Sequence, residues 1–176
     1  MKQDEVKKKA ENFCKENSIT ESPVEIVKIC KNNGIKVFEE YLPEDVSGLI
    51  VVDEEEWPKY NSNKFIIVNL ADSAARRRFT IAHELAHFIL HKEDSKLYAH
   101  RDMPDNGIRK SDDFEQEANY FAANVLMPEE LVREKIEVIK DSWGEIPISV
   151  LAQAIAASFG VSKSAATIRL RQLGIN

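Results

Sequence analysis

The chain has 176 residues, of which 43% are hydrophobic and 31% charged, and its net charge is −6. This length suits one main domain with at most a small appendage, and the composition is that of a globular protein. No apolar run approaches the roughly 20 residues of a membrane-spanning helix, and the N-terminus lacks the apolar segment of a secretory signal. We therefore expect a cytoplasmic protein without a general attraction to nucleic acid.

Hydrophobic periodicity, capping residues and β-branched runs predict an α+β fold in which a small antiparallel sheet packs on a long helix. The predicted strands are 35–41, 48–53 and 64–70. The predicted helices are 3–17, 23–33, 73–91, 112–126 and 128–140, followed by a helical pair within 149–173. Residues 92–111 have no periodicity and predict a long loop, a kind of segment that is often functional. We expect residues 1–143 to form the main domain and 144–176 a C-terminal segment.

Both cysteines, Cys14 and Cys30, fall at apolar positions of predicted helices. In a reducing compartment, such residues are more often buried free thiols than a disulfide. We interpret both as structural.

The predicted helix 73–91 carries the segment His83-Glu84-Leu85-Ala86-His87. Residues four apart lie on the same helix face, so both imidazoles can bind one ion, and a catalytic zinc needs three protein ligands plus an open position for water. Glu84 would lie beside that ion, where it could accept a proton from the activated water and deliver it to the leaving amine. The segment therefore predicts a zinc peptidase. The alternative, a surface helix with two histidines, is disfavoured by the apolar flanks.

A third ligand should come from another element, and the candidates are Glu115, Glu117, His91 and His100. His91 continues the four-residue spacing but lies about 12 Å along the helix axis from His83, which is too far for one ion and suits a supporting or helix-end position. Glu115 and Glu117 lie about 200° apart around their helix, so both cannot face the metal. The residues alone leave the choice between these two glutamates open.

The helix 112–126 also supplies a partner for the site, since Glu115 and Asn119 are four residues apart. With that geometry Glu115 could bind the ion while Asn119 hydrogen-bonds the far nitrogen of a ligand imidazole. The group that would stabilise the oxyanion is less defined. Its candidates are Tyr98, His100 and Tyr120, each of which also has an ordinary structural explanation.

Taken together, these motifs resemble the ImmA/IrrE metallopeptidases, from about residue 20 onward. The resemblance rests on Arg78-Phe79-Thr80-Ile81-Ala82 before the histidine segment, on Glu115-x-x-Ala118-Asn119-x-Phe121-Ala122 and on Leu126-Met127-Pro128. It implies that Glu115 is the third zinc ligand. It also implies a protease that cuts a helix-turn-helix repressor, as in the antirepressors of phages and mobile elements or in stress-response regulators. Ala86 stands where the family usually has glycine, a small-for-small change that leaves the chemistry undisturbed.

The segment 149–173 resembles a helix-turn-helix unit with its turn at Phe159-Gly160-Val161. Such a unit would place the start of its second helix in the major groove of DNA. Lys163, Arg169 and Arg171 are its only basic residues, which is little charge for DNA binding. We expect the pair to pack on the peptidase domain or to hold a protein partner, with DNA binding as the alternative.

The sequence thus predicts a zinc-dependent endopeptidase that makes site-specific cuts in a regulatory protein, with a helix-turn-helix repressor as the expected substrate. An extended substrate could add to a sheet edge, for example along residues 64–70. The rival hypothesis is a non-catalytic, antitoxin-like regulator that binds DNA or a partner and keeps a structural metal. Glu84 favours the enzyme, because a structural site has no need of a carboxylate at that position.

Overall fold

The computed structural model describes residues 1–91 and 112–175. Within this part of the chain the protein is a mixed α+β structure with a small sheet and seven helices. In chain order the elements are α1 (Gln3–Glu16), α2 (Ile26–Asn32), β1 (Lys36–Glu40), β2 (Gly48–Trp57), β3 (Ser62–Asn69), α3 (Ala74–Leu90), α4 (Asp112–Leu126), α5 (Glu129–Trp143), α6 (Ile148–Phe159) and α7 (Lys163–Gln172). The loop predicted over 92–111 lies outside the described residues.

Helix α3 carries both histidines of the motif and is buried along most of its length. It begins after Ser73, whose side-chain oxygen accepts a hydrogen bond from the Arg76 amide at 3.3 Å. This bond satisfies one of the free amides of the first helical turn. All residues from Thr80 to Phe88 are buried, because α4, β2 and β3 pack around this part of the helix. The motif is therefore held on a rigid, enclosed support.

The sheet has three strands in the order β1-β3-β2, so β3 is central. β2 pairs antiparallel with β3, with Gly48 opposite Val68, whereas β1 pairs parallel with β3, with Lys36 opposite Phe65. The prediction of an antiparallel sheet is therefore wrong for one of the two pairings. The physical reason is the connectivity: the chain goes from β1 to the far edge, forms β2 and returns through the middle, so β3 runs in the same direction as β1.

From Phe65 to Asn69 the side chains of β3 are buried on both faces of the sheet, because each face packs against its own apolar cluster. Ile66 and Val68 belong to the main core, whereas Phe65 and Ile67 belong to a smaller cluster on the other face. In that cluster the ring centroids of Phe65 and Tyr60 are 4.2 Å apart. A strand that is covered on both faces needs apolar residues at successive positions, which accounts for the continuous apolar run of β3.

The C-terminal helices α6 and α7 share the main core with the sheet and the other described helices. They bend by 110° relative to each other at Gly160, a left-handed residue with φ of 63°, and they bury Ile155, Phe159 and Leu170 completely. No single helix in the described ranges is long and apolar enough to cross a membrane, and only this bent pair would qualify by length and composition. The division at residue 143 stays a prediction.

Two arginines tie the C-terminal pair to the rest of the protein. From α3, Arg78 donates through Nε to the Gly160 carbonyl at 3.1 Å and through Nη2 to the Val24 carbonyl at 2.8 Å. Arg169 of α7 is 1% exposed and donates through Nε to the Met127 carbonyl at 3.0 Å. Burial lowers the pKa of the Arg169 guanidinium below its ordinary value. The sequence had offered Arg169 to DNA, but a side chain buried in this way cannot contact a phosphate.

The two cysteines are free, with Cys30 buried and Cys14 half-buried. Burial raises the pKa of the Cys14 thiol to about 11 and that of the Cys30 thiol to about 12. Both thiols are therefore protonated and poorly nucleophilic near neutral pH. These properties agree with the structural interpretation.

Candidate metal centre

His83 and His87 lie one turn apart on α3 and direct their Nε2 atoms at the same point. The two Nε2 atoms are 3.0 Å apart, and the side chains are 10% and 2% exposed. This convergence follows from the four-residue spacing, which stacks side chains on one helix face. The helix thus supplies two neighbouring imidazole donors in an enclosed position.

Glu115 brings a third donor from α4. Its Oε2 atom is 3.2 Å from Nε2 of His83, and its Oε1 atom is 3.4 Å from Nε2 of His87. One donor atom from each of the three residues lies within 4.8 Å of the others. The Glu115 side chain is 33% exposed, so the cluster opens toward solvent on this side. Of the two glutamates that the sequence left open, the structure brings Glu115 to the histidines.

The separations of the three donors fit a tetrahedral metal ion. Ligand atoms that lie about 2.0–2.1 Å from one zinc ion at tetrahedral angles are about 3.3 Å apart from each other. The two Nε2 atoms are 3.0 Å apart, His83 Nε2 is 3.2 Å from one Glu115 oxygen, and His87 Nε2 is 3.4 Å from the other oxygen. Two imidazoles and one carboxylate also leave a fourth position for water or substrate, as catalytic zinc sites do. The donor set therefore suits a zinc-like ion both in chemistry and in size.

Asn119 lies on the Nδ1 side of the His83 ring, and its role in supporting a metal ligand stays a prediction. Nδ1 of His83 is 3.0 Å from Oδ1 of Asn119. Because an amide oxygen only accepts hydrogen bonds, the imidazole proton belongs on Nδ1, which leaves the lone pair of Nε2 directed at the cluster. A carbonyl in this position fixes both the tautomer and the orientation of a ligand ring.

His91 lies on the Nδ1 side of the His87 ring. The sequence analysis had identified His91 only as a supporting or helix-end residue. Nδ1 of His87 is 3.2 Å from Nδ1 of His91, and Nε2 of His91 is 2.9 Å from Oε2 of Glu117. The N-terminal amino group of Met1 contacts the other Glu117 oxygen. Burial raises the pKa of the Glu117 carboxyl, but hydrogen bonds from that amino group and from His91 outweigh it and hold the pKa below its ordinary value.

The pairing of His91 with Glu117 is the feature of the site that sequence reasoning missed. The histidine spacing at positions 83, 87 and 91 was a usable signal, because residues four apart meet on a helix. It pointed to a contact between His87 and His91. It could not show that the glutamate facing away from the metal would meet His91, since this depends on how α4 packs against α3.

Glu84 lies between the two histidines in sequence and is completely buried. A carboxylate in an apolar helix is costly to bury, so its presence next to a donor cluster favours a chemical role. A carboxylate can take up a proton from a reacting water and release it again. The structure therefore places a buried carboxyl group on the same helix as two of the three donors.

The predicted substrate edge along residues 64–70 is wrong, because these residues belong largely to β3 and are paired on both sides. In the described part of the chain, the outer strands are β1 and β2. β2 begins at Gly48, where an added Cβ would lie 2.6 Å from Cγ2 of Thr80. Thr80 is one turn before His83 on α3, so β2 is the outer strand that starts beside the cluster.

Of the oxyanion candidates, Tyr98 and His100 lie outside the described residues. Tyr120 is half-buried, and its backbone carbonyl accepts a hydrogen bond from the Asn124 side chain. Its assignment to the oxyanion stays a prediction. His100 as a third ligand likewise lies outside the described part of the chain.

Two histidines and one glutamate from adjacent helices form a donor set that is found in the catalytic zinc sites of metallopeptidases. The chain is a member of the ImmA/IrrE family: the profile of the IrrE N-terminal-like domain, a peptidase family, matches residues 30–171. This match confirms the resemblance seen in the sequence motifs. The family implies a metal, and the cluster of His83, His87 and Glu115 is where the described residues could hold one.

Two relatives and one solved structure are similar to the chain in sequence or in fold. It is 28% identical over 120 residues to uncharacterized immunity region protein 2 of Bacillus phage phi105, covering 62% of this chain and 73% of that protein. It is 38% identical over 80 residues to the radiation response metalloprotease IrrE of Deinococcus radiodurans, covering 46% of this chain but only 23% of that protein. A Mycobacterium tuberculosis transcriptional regulator shares the fold at a TM-score of 0.61 and 19% identity, over 94% of this chain and 46% of the regulator.

Proposed function

We propose that the chain is a cytoplasmic, zinc-dependent endopeptidase that makes site-specific cuts in a regulatory protein, with a helix-turn-helix repressor as the first candidate substrate. The observation that carries this proposal is the convergence of His83, His87 and Glu115 at separations of 3.0 to 3.4 Å on the helix that also holds Glu84. A purely structural metal site would have no use for Glu84, whereas a hydrolase needs a proton acceptor there.

In this proposal His83, His87 and Glu115 hold the ion, and Asn119 keeps the His83 ring oriented through its 3.0 Å contact with Nδ1. A bound zinc would polarise the scissile carbonyl and lower the pKa of a water molecule in its open position. Glu84 would accept a proton from the attacking water at a carboxylate oxygen and would later give it to the leaving amine. The burial of Glu84 keeps bulk water away from this transfer and strengthens the local electrostatic interactions.

The substrate segment would bind in an extended form along β2, which starts beside the cluster at Gly48. Outer strands offer unpaired backbone amides and carbonyls, and a peptide that adds to them is aligned by main-chain hydrogen bonds. This binding mode requires a flexible or locally unfolded stretch in the substrate. A regulatory protein with an exposed linker is therefore a suitable target, and the immunity-region and radiation-response names of the relatives support a regulatory substrate.

The test is to mix the purified, zinc-loaded chain with the helix-turn-helix repressor encoded nearest to its gene and to map the products by mass spectrometry. We expect one defined cut, which stops when a chelator is added and resumes when zinc is restored. The His87→Ala variant serves as the inactive control. An intact repressor, together with no cleavage in a library of unfolded proteins under the same conditions, would contradict the proposal.

The rival function, DNA binding by α6 and α7, loses part of its support in the structure. With Arg169 buried, only Lys163 and Arg171 remain of the three basic side chains that the sequence offered, and both are exposed. Two phosphate contacts give little of the salt-dependent affinity on which DNA-binding proteins rely. Tight, sequence-specific gel shifts by the chain at physiological salt would reverse this ranking.

A further inference from the structure

The two imidazoles of the candidate metal centre are supported in different ways. His83 contacts a neutral amide, Asn119, through Nδ1. His87 contacts another imidazole, His91, which in turn contacts the carboxylate of Glu117. His91 and Glu117 are each 7% exposed, so this second arrangement is a buried chain of three side chains joining α3 to α4.

The chemistry of the atoms fixes the order of the protons along this chain. If Nε2 of His87 is to donate a lone pair to a metal, the proton of that ring must sit on Nδ1. The Nδ1 atom of His91, 3.2 Å away, must then accept this proton's hydrogen bond, so the His91 proton sits on Nε2. Nε2 of His91 donates to Oε2 of Glu117 at 2.9 Å, and a carboxylate there can only accept. Each donor has an acceptor, and only one set of tautomers satisfies them all.

The position of His91 is itself fixed by its neighbours. Its ring lies against that of Phe114, with the centroids 4.4 Å apart, while Glu117 holds its Nε2 atom. The N-terminal amino group of Met1 and the His91 ring both donate to Glu117, which supports its carboxylate form. The chain from His87 to Glu117 therefore ends on a negative charge held inside the protein.

We propose that His91 and Glu117 are positioning residues for the metal ligand His87, forming a relay that orients its ring, fixes its tautomer and strengthens its Nε2 atom as a donor. The inference rests on the proposed function, because it requires a metal at Nε2. Partners that hydrogen-bond the far nitrogen of a ligand histidine typically change metal affinity by about 10- to 100-fold when they are removed. The relay gives His87 a carboxylate-backed support at Nδ1, whereas Nδ1 of His83 contacts the neutral amide of Asn119.

Three substitutions separate the parts of the relay. His91→Leu removes the acceptor for the His87 proton. His91→Asn restores it, because Oδ1 of asparagine falls near the place of histidine Nδ1, but it removes the link to Glu117. Glu117→Gln keeps an acceptor for His91 and removes the charge. Asn124→Ala is the matched control, since Asn124 is a buried polar residue of α4 that bonds the Tyr120 carbonyl of its own helix at 2.8 Å.

The main readout is zinc affinity, measured by competition with a chromophoric chelator, alongside the stability of each metal-free variant. We expect His91→Leu to weaken zinc binding by about 10- to 100-fold, with smaller losses for His91→Asn and Glu117→Gln. Asn124→Ala should lower stability without changing zinc affinity. If His91→Leu does not fold, the affinities of the other two relay variants decide the matter. A second readout is the imidazole ¹⁵N spectrum of the zinc-loaded parent, in which His87 should carry its proton on Nδ1 and His91 on Nε2.

The outcomes distinguish this inference from the function on which it rests. A parent chain that binds no zinc would overturn the proposed function and the relay together. A parent that binds zinc, with His91 and Glu117 variants no weaker than Asn124→Ala, would overturn the relay alone. A proton on Nδ1 of His91 in the zinc-loaded protein would do the same, because that nitrogen could then not accept from His87.

Discussion

The candidate metal centre and the C-terminal helical pair both carry polar side chains on packed helices. The two regions differ in what these side chains contact. In the cluster, three side chains from α3 and α4 converge on one point, and Glu115, 33% exposed, leaves that point open to solvent. In the C-terminal pair, Arg169 is 1% exposed and ends on the Met127 backbone carbonyl. Side chains that converge on one solvent-accessible point indicate a binding or catalytic site. A buried side chain that hydrogen-bonds a backbone carbonyl indicates a structural role.

The largest effect on catalysis is expected at Glu84. Replacing it with glutamine should lower the rate of cleavage but leave the fold unchanged. An amide of the same shape cannot accept a proton from water, so we expect a loss of cleavage rate of at least about 100-fold. Zinc content and thermal stability should stay close to those of the parent. Single-turnover cleavage of the repressor checks the rate, with the exposed Glu134→Gln as control. A Glu84→Gln chain that cuts at the parental rate would remove the assigned role.

Deletion of residues 144–176 should destabilise the whole fold, because these residues form part of the core. Ile155, Phe159 and Leu170 are completely buried, and their loss uncovers the apolar surfaces that they pack against. Burial of each such side chain is worth about 1.5–3 kcal/mol, and a domain has only about 5–15 kcal/mol in total. We expect insoluble or partly unfolded protein, measured by circular dichroism and gel filtration. A soluble, folded and active chain ending at Trp143 would show instead that the first 143 residues form an independent domain.

Two arginines of α7 should differ in their effect on stability. Arg169→Met leaves the Met127 carbonyl without its donor, which should cost about 1–3 kcal/mol of unfolding free energy. Arg171 is exposed, and Arg171→Met should stay within about 0.5 kcal/mol. Urea unfolding of both variants gives the difference directly. Equal effects would mean that the buried guanidinium does not hold α7 to the end of α4.

The smallest effect should come from Glu129, whose side chain is 29% exposed and lies 2.9 Å from the Lys7 ammonium. Hydrogen bonds from Lys7 and Arg133 lower the pKa of Glu129. The stabilisation is therefore present above the unfolded glutamate pKa of about 4.3 and is lost as pH falls through the lower folded-state pKa. We expect Glu129→Gln to cost about 0.2–1 kcal/mol at neutral pH, and the gap to close in acid. Urea unfolding across this pH range measures it, and a gap that widens in acid would contradict the assignment.

Local patterns predicted the helices well, because capping and periodicity are properties of neighbouring residues. The predicted helix 112–126 coincides with α4, and the predicted helix 73–91 contains α3. The start of α2 was placed too early, at residue 23. The side chain of Val24 is only 2% exposed and packs in the core before the helix starts. The helix therefore begins later than predicted, at Ile26. The parallel pairing of β1 with β3 and the burial of Arg169 depend on contacts between distant segments, which no local pattern encodes.

The candidate site was predictable to the extent that helix spacing determines it. The positions of His83 and His87 follow from four-residue spacing, and the choice of Glu115 came from family resemblance rather than from the residues alone. Glu117 could not be placed from the sequence, because its contact with His91 requires the packing of α4 on α3. The sheet edge was assigned to the wrong strand for a similar reason, since strand order is set by long-range pairing.

The most direct test of the central claim is the zinc content of the purified chain and of its Glu115→Ala and His87→Ala variants, each dialysed against the same zinc buffer and measured by elemental analysis. The parent should carry about one zinc per chain, and both variants should carry markedly less, because three protein ligands are needed for a tight catalytic site. Negligible metal in the parent, or equal metal in all three proteins, would contradict the account.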